Sequence, residues 1–213
     1  MKRLSRGHIA TLVILAVILI DLCVKFAVKT QMYLGETIDV TGWFKIAFIE
    51  NNGAAFGMEF GSKLFLTIFR IIASVALAYA IHYICQRPRY TMGFIACVAL
   101  IEAGAIGNII DCMFYGIIFD APMPPEVATF LPEGGGYAPF FYGRVVDMLY
   151  FPLFSFYWPD WMPIVGGEYF EFFRPIFNIA DSAICVGVAI ILLFYYKQLI
   201  SEDPKTPIEE NQQ

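Results

Sequence analysis

Four long apolar stretches run through the chain, at residues 8–28, 64–85, 92–114 and 176–199. Crossing a hydrocarbon core of about 30 Å takes about 20 apolar residues in a helix, so each stretch predicts a transmembrane helix. Between the first two, Trp43-Phe44-Lys45-Ile46-Ala47-Phe48-Ile49-Glu50 is aromatic and β-branched and runs into Asn51-Asn52-Gly53. That pattern predicts a strand ending in a turn. Residues 115–175 carry Pro122, Pro124 and Pro125, then Glu133-Gly134-Gly135-Gly136, and later Trp158-Pro159-Asp160-Trp161-Met162-Pro163. Proline and glycine at this density predict loops, and the aromatics suit the headgroup belt. No internal repeat is evident, and the polar stretch from Ser201 to Gln213 reads as a disordered tail.

The expected fold is therefore an all-α membrane protein: four transmembrane helices with a small extracytoplasmic β-containing cap. Residues 1–200 form one membrane domain that includes the outer connections 29–63 and 115–175, and 201–213 form a polar cytoplasmic tail. Orientation follows from the basic residues: Lys2, Arg3 and Arg6 at the start, Arg87 and Arg89 in the link 86–91, and Lys197 and Lys205 at the end. These ends belong in the cytoplasm. The first stretch resembles a secretory signal, yet it continues through Asp21 and Lys25 with no small-x-small cleavage site and reads as a retained helix.

Composition sharpens this picture. Of 213 residues, 59% are hydrophobic and 15% charged, against about 45–50% apolar in a soluble domain. The net charge of -5 and the lack of a dense Lys/Arg run set nucleic acid aside. Cys23, Cys85, Cys97, Cys112 and Cys185 lie in or at the ends of apolar segments, at spacings matching neither zinc ligands nor a disulfide framework. His8 and His82 sit near the cytoplasmic helix ends, so a metal site or a histidine-based triad has few materials. Neither metal nor cofactor is expected.

A charge inside a spanning helix costs several kcal/mol or more, which makes each one a functional candidate. Asp21 and Lys25 lie at i,i+4 with the acid N-terminal, the favourable order for a structural ion pair facing the bundle. At about 1.5 Å per residue, Asp21 lies roughly 20 Å and Asp111 roughly 28 Å from the cytoplasmic starts of their helices. Asp181 falls in the first turns of the fourth helix and Asp147 just before it, so four carboxylates converge on the outer boundary. Two adjacent carboxylates share one proton near neutral pH, which suits an aspartyl protease. Intramembrane acids also relay protons in transporters, and charge placement alone leaves both classes open. A relay predicts acids spread through the inner half; apart from Glu102, near the middle, they are not. Serine and metal intramembrane proteases lack their motifs here, with no Gly-x-Ser-x-Gly and no His-Glu-x-x-His.

Short polar blocks surround the acids: Asp21-Leu22-Cys23-Val24-Lys25, Asn52-Gly53-Ala54-Ala55-Phe56-Gly57, Gly104-Ala105-Ile106-Gly107-Asn108-Ile109-Ile110-Asp111, Gly143-Arg144-Val145-Val146-Asp147 and Phe177-Asn178-Ile179-Ala180-Asp181-Ser182. In this order on a four-helix frame they resemble the signature blocks of bacterial lipoprotein signal peptidases, signal peptidase II. The resemblance covers all four helices and the first outer connection. It implies an intramembrane aspartyl endopeptidase of the inner membrane that cuts the signal peptide from diacylglyceryl-modified prolipoproteins before the lipidated cysteine. It further implies that Asp147 and Asp181 are the catalytic dyad, and that inhibitors such as globomycin bind there. Asn52, Gly53, Asn108, Asp111, Asn178, Ala180 and Arg144 match or neighbour site-lining positions, and Asp21 with Lys25 matches the first-helix pair.

The asparagines can supply donors and acceptors without adding charge, although each also suits a helix cap or a turn. Gly53, Gly104 and Gly107 favour close backbone packing over substrate contact. Three departures stand out. Cys112 replaces the arginine that usually follows the third-helix aspartate, with Arg144 a candidate substitute; residues 115–142 are longer than the usual link; and Glu102 lies mid-helix as a protonated or hydrogen-bonded group. Arg70, near the outer end of the second helix, is expected to snorkel.

Overall fold

The computed structural model describes residues 4–52 and 63–200. Gly53 with the residues after it in its block, Lys2 and Arg3, and the tail from Ser201 lie outside the described residues. Four helices are long and apolar enough to cross a membrane: α1 (Arg6–Gln31), α2 (Lys63–Cys85), α3 (Met92–Ile118) and α4 (Ile179–Ile200). Polar caps mark where the chain enters three of them. Ser5 caps α1 by accepting from the His8 N–H, Thr91 caps α3 by accepting from the Phe94 N–H, and Asn178 caps α4 by accepting from the Asp181 N–H. Leu12, Leu15 and Leu19 on α1 and Phe65, Phe69 and Ile72 on α2 remain exposed. This is the surface that a bundle offers to lipid rather than to its own core.

Helix α3 is the centre of the bundle. It meets α4 through small residues: a Cβ on Gly104 would stand 2.2 Å from the Ala180 carbonyl oxygen, and one on Gly187 would stand 2.7 Å from the Cys97 carbonyl oxygen. The expectation that Gly104 and Gly107 serve close packing is met, since a Cβ on Gly107 would approach the Ala180 Cβ to 3.2 Å and the Asp21 Oδ2 to 2.7 Å. One apolar cluster, including Ile81, Phe94, Ile95 and Ile191, closes the end holding the 86–91 link, and a second, including Phe48, Phe119, Val146 and Met148, fills the opposite end.

At that opposite end the chain is not all-α. Strands β1 (Thr37–Thr41), β2 (Phe44–Asn51), β3 (Val145–Tyr150) and β6 (Ile176–Phe177) form an antiparallel sheet in the order β1-β2-β3-β6. β4 (Phe154–Tyr157) and β5 (Tyr169–Phe172) make a separate hairpin. The strand expected at 43–50 is β2. One of its two partners, β3, lies where proline and glycine predicted loops, because Val145, Val146, Asp147 and Met148 are all buried and the strand carries no in–out alternation for sequence to show. Helix α4 begins at Ile179 rather than 176, since Ile176 and Phe177 pair with Tyr150 and Leu149 before Asn178 starts the helix. Helix α3 runs past residue 114 through a π turn at Asp111–Tyr115. The long link after it folds back on this end, with the N–H groups of Tyr137, Ala138 and Gly143 donating to the carbonyls of Phe119, Gly116 and Cys112.

Candidate active site

Asp147 sits in β3, 1% exposed, and Asp181 in the first turn of α4. One residue joins them. Asn178 accepts from the Asp181 backbone N–H at 2.8 Å, and its Nδ2 donates to Asp147 Oδ1 at 2.7 Å. The same Nδ2 also lies 3.1 Å from Asn108 Oδ1 and 3.3 Å from the Val146 carbonyl. Asp181 answers by accepting from the Asn178 N–H through Oδ2 at 3.3 Å, which completes a reciprocal cap. Asn108 on α3 donates to Asp181 Oδ1 at 2.7 Å. Both carboxyl groups are thus aimed by amide side chains that carry no charge.

Beneath the two aspartates lies a buried ion cluster. Lys25 Nζ stands 2.8 Å from Asp21 Oδ2, 2.8 Å from Asp111 Oδ2 and 3.0 Å from Asn108 Oδ1. The expected pair Asp21 and Lys25 is therefore part of a larger group. Its carboxylates also hold backbone: Asp21 Oδ1 accepts from the Ala180 N–H at 2.9 Å, and Asp111 Oδ2 from the Val146 N–H at 3.3 Å. Ala180 precedes Asp181 and Val146 precedes Asp147, so the cluster anchors the backbone beside each aspartate. Asp111 opens the π turn of α3, a distortion found often at functional sites.

Electrostatics separate Asp147 from an ordinary surface acid. Burial drives its carboxyl up to about 7, and the negative charge of Asp181 pushes the same way. Hydrogen bonds from Asn51 and Asn178 and the charge of Lys25 oppose that rise. Near neutral pH this carboxyl is poised between its two forms, beside a second carboxyl, which is the condition for one group to accept a proton while the other donates.

Several expected positions fall elsewhere. Asn52 is exposed, and the asparagine that reaches Asp147 is its neighbour Asn51, whose Nδ2 lies 3.3 Å from Oδ2. Arg144 does not stand in at the Cys112 position: it pairs with Glu50 at 2.8 Å and lies over the Tyr137 ring. A cation that does lie beside Cys112 is Arg70 of α2, with Nη1 3.4 Å from the sulfur. Glu102 has a partner in the Ser74 hydroxyl, which donates to it at 2.8 Å. Lys29 and Glu50 form a buried pair that sequence reading missed, with the Lys29 ammonium near the faces of Phe48, Phe119 and Tyr137. The signal was present, since Asp21, Lys25 and Lys29 recur every fourth residue on one face of α1. Among the described residues no group of three His, Cys, Asp or Glu side chains is arranged as metal ligands.

This geometry can be set beside known proteins. The chain is 46% identical over 195 residues to the lipoprotein signal peptidase of Porphyromonas gingivalis, covering 92% of this chain and 86% of that one. It is 38% identical to the lipoprotein signal peptidase of Amoebophilus asiaticus, covering 84% and 74%. A solved bacterial membrane enzyme, determined by the in meso method, matches with a TM-score of 0.59 at 25% identity over 95% of this chain and 99% of that one. The family model of signal peptidase (SPase) II spans residues 13–197, from the first spanning helix to the last. With every acid and amide of the constellation inside that span, the chain belongs to the signal peptidase II family.

Proposed function

We propose that this protein removes signal peptides from diacylglyceryl-modified prolipoproteins, cleaving before the lipidated cysteine, and that it does so as an aspartyl endopeptidase with Asp147 and Asp181 as its dyad. The observation that carries the reading is Asn178, which holds Asp147 through its Nδ2 and the backbone of Asp181 through its Oδ1. Two carboxyl groups from separate elements are thereby set in one frame at the end of a spanning helix.

In the proposed reaction, ionised Asp181 takes a proton from a water molecule as that water attacks the scissile carbonyl. Protonated Asp147 donates to the carbonyl oxygen. As the tetrahedral intermediate collapses, a hydroxyl of the gem-diol returns its proton to Asp147, the C–N bond breaks and the proton gained by Asp181 passes to the leaving amine. The elevated Asp147 carboxyl supports the donor role at neutral pH. Asn108 and Asn178 keep the two carboxyls oriented throughout. Placing the basic helix ends in the cytoplasm sets the dyad at the outer leaflet, where a lipidated substrate presents its scissile bond and leaves its acyl chains in the bilayer. The membrane domain in this reading is one unit, residues 1–200.

The test is release of signal peptide from a lipidated prolipoprotein by purified enzyme. Asp147→Asn and Asp181→Asn each keep shape but remove the titrating group, so each abolishes cleavage, and the double variant is no worse than either single one. Substantial cleavage by either variant would remove the dyad assignment.

A further inference from the structure

The hairpin β4–β5 has two unlike faces. Its register pairs Phe154 with Phe172 and Phe156 with Phe170, so these four rings share one face. Trp158, two residues beyond Phe156, adds to that face, with its ring 5.8 Å from Phe170. The Phe154 and Phe172 rings stack at 4.8 Å, yet Phe154 stays 53% exposed and Phe172 44% exposed. On the other face Ser155 pairs with Glu171 and Tyr157 with Tyr169, and Glu171 accepts from the Tyr150 and Tyr169 hydroxyls. One side is made only of apolar rings, with Phe154, Phe156 and Phe172 exposed, and the other carries a serine, two tyrosines and a hydrogen-bonded glutamate.

What covers the aromatic side follows from where the hairpin is attached. It leaves the sheet after Tyr150 and returns through β6 to Asn178, the cap of spanning helix α4. Four-residue strands reach about 13 Å, so the aromatic face cannot lie far from the level at which α4 enters the bilayer. Two strands alone leave edge N–H and C=O groups unpaired, and these cannot enter the hydrocarbon core. A hairpin with one apolar face, rich in Phe and Trp, is suited to the headgroup and acyl boundary.

We infer that the β4–β5 hairpin lies flat on the bilayer, with its Phe154, Phe156, Trp158, Phe170 and Phe172 face immersed in lipid and its Tyr157 and Glu171 face toward water. The occupant of the face is phospholipid, and the docking fixes the height of β3, which leads directly into the hairpin and carries Asp147.

The test uses the full chain in phosphatidylcholine vesicles. The chain has three tryptophans, Trp43, Trp158 and Trp161, so Trp43→Phe with Trp161→Phe leaves Trp158 as the reporter from the aromatic face. Replacing all three with Phe and adding Tyr157→Trp gives a reporter from the polar face. Lipid brominated near the top of its acyl chains is expected to reduce Trp158 emission about twofold while iodide changes it little, for a face buried about 5–10 Å into the boundary. The Tyr157→Trp reporter should show the opposite ranking. Iodide quenching of Trp158 comparable to that of free tryptophan would overturn the inference, as would shielding from both quenchers, which means that protein covers the face. Equal quenching of both reporters by brominated lipid would overturn the flat orientation.

Discussion

Asn178 does two separable jobs, and a pair of substitutions divides them. Asn178→Ser keeps a good N-cap oxygen for the Asp181 N–H but withdraws the Nδ2 that donates to Asp147 at 2.7 Å. Asn178→Ala withdraws both. Loss of the cap costs about 1 kcal/mol, which should appear as the stability difference between the Ser and Ala variants. A hydrogen bond to an ionised carboxylate contributes about 1.5–3 kcal/mol, and one pKa unit corresponds to about 1.4 kcal/mol. Asn51 still donates to Asp147 in the variant, so the lower end of that range applies: about one unit. The sign is upward, because the lost bond favoured the ionised form. Asp147 already stands at about 7, and the alkaline limb of cleavage, where the donor loses its proton, should therefore move about one unit to higher pH in both variants. Stability follows the same group: a carboxyl raised on folding costs stability as pH climbs from the ordinary acid range to its folded value, so both variants lose stability over a window extending further upward. The assays are a pH–rate profile on a lipidated substrate and thermal unfolding in detergent. An unchanged alkaline limb in a folded Asn178→Ser enzyme would refute the assignment of the proton to Asp147.

Three further outcomes are expected. Lys25→Met leaves Asp21 and Asp111, 1% and 0% exposed, without their cation, and should cost about 3–5 kcal/mol in detergent unfolding. Combining it with Asp21→Asn and Asp111→Asn, whose amide oxygens still accept from Ala180 and Val146, should recover most of that loss; a triple variant as unstable as Lys25→Met would rule out stranded charge as the cause. Gly104→Ala puts a Cβ 2.2 Å from the Ala180 carbonyl oxygen, and should cost about 1–3 kcal/mol with a drop in kcat, as Asp181 follows Ala180. Gly42→Ala, with nothing within 4 Å, serves as the control and should match the parent in both measurements. Finally, in a cysteine-free background an impermeant thiol reagent on intact cells should label Gly135→Cys and spare Pro88→Cys, and the reverse pattern would invert the topology.

The sequence by itself determined the membrane class, the four spans to within a few residues and which acids lie within the spanning helices. Each of these rests on local or collective properties: twenty apolar residues in a row, or a charge where lipid makes charge expensive. The family was legible because its blocks are short and contiguous. Tertiary structure decided which groups meet. Asn51 reaches Asp147 because it lies opposite Val145, diagonal to Asp147 on the same sheet face, while Asn52 lies past the end of the strand. No one-dimensional pattern distinguishes two adjacent asparagines until register is set, and a bulge in β2 between Ile46 and Ile49 helps to set it. Likewise Asp21 and Lys25 satisfied a helix-spacing rule as a pair, yet the charge of Lys25 is also used by Asp111 from another helix. Local spacing identified the face of α1 that carries charge; the packing of α3 and α4 against it, made possible by Gly104 and Gly107, decided what that charge holds.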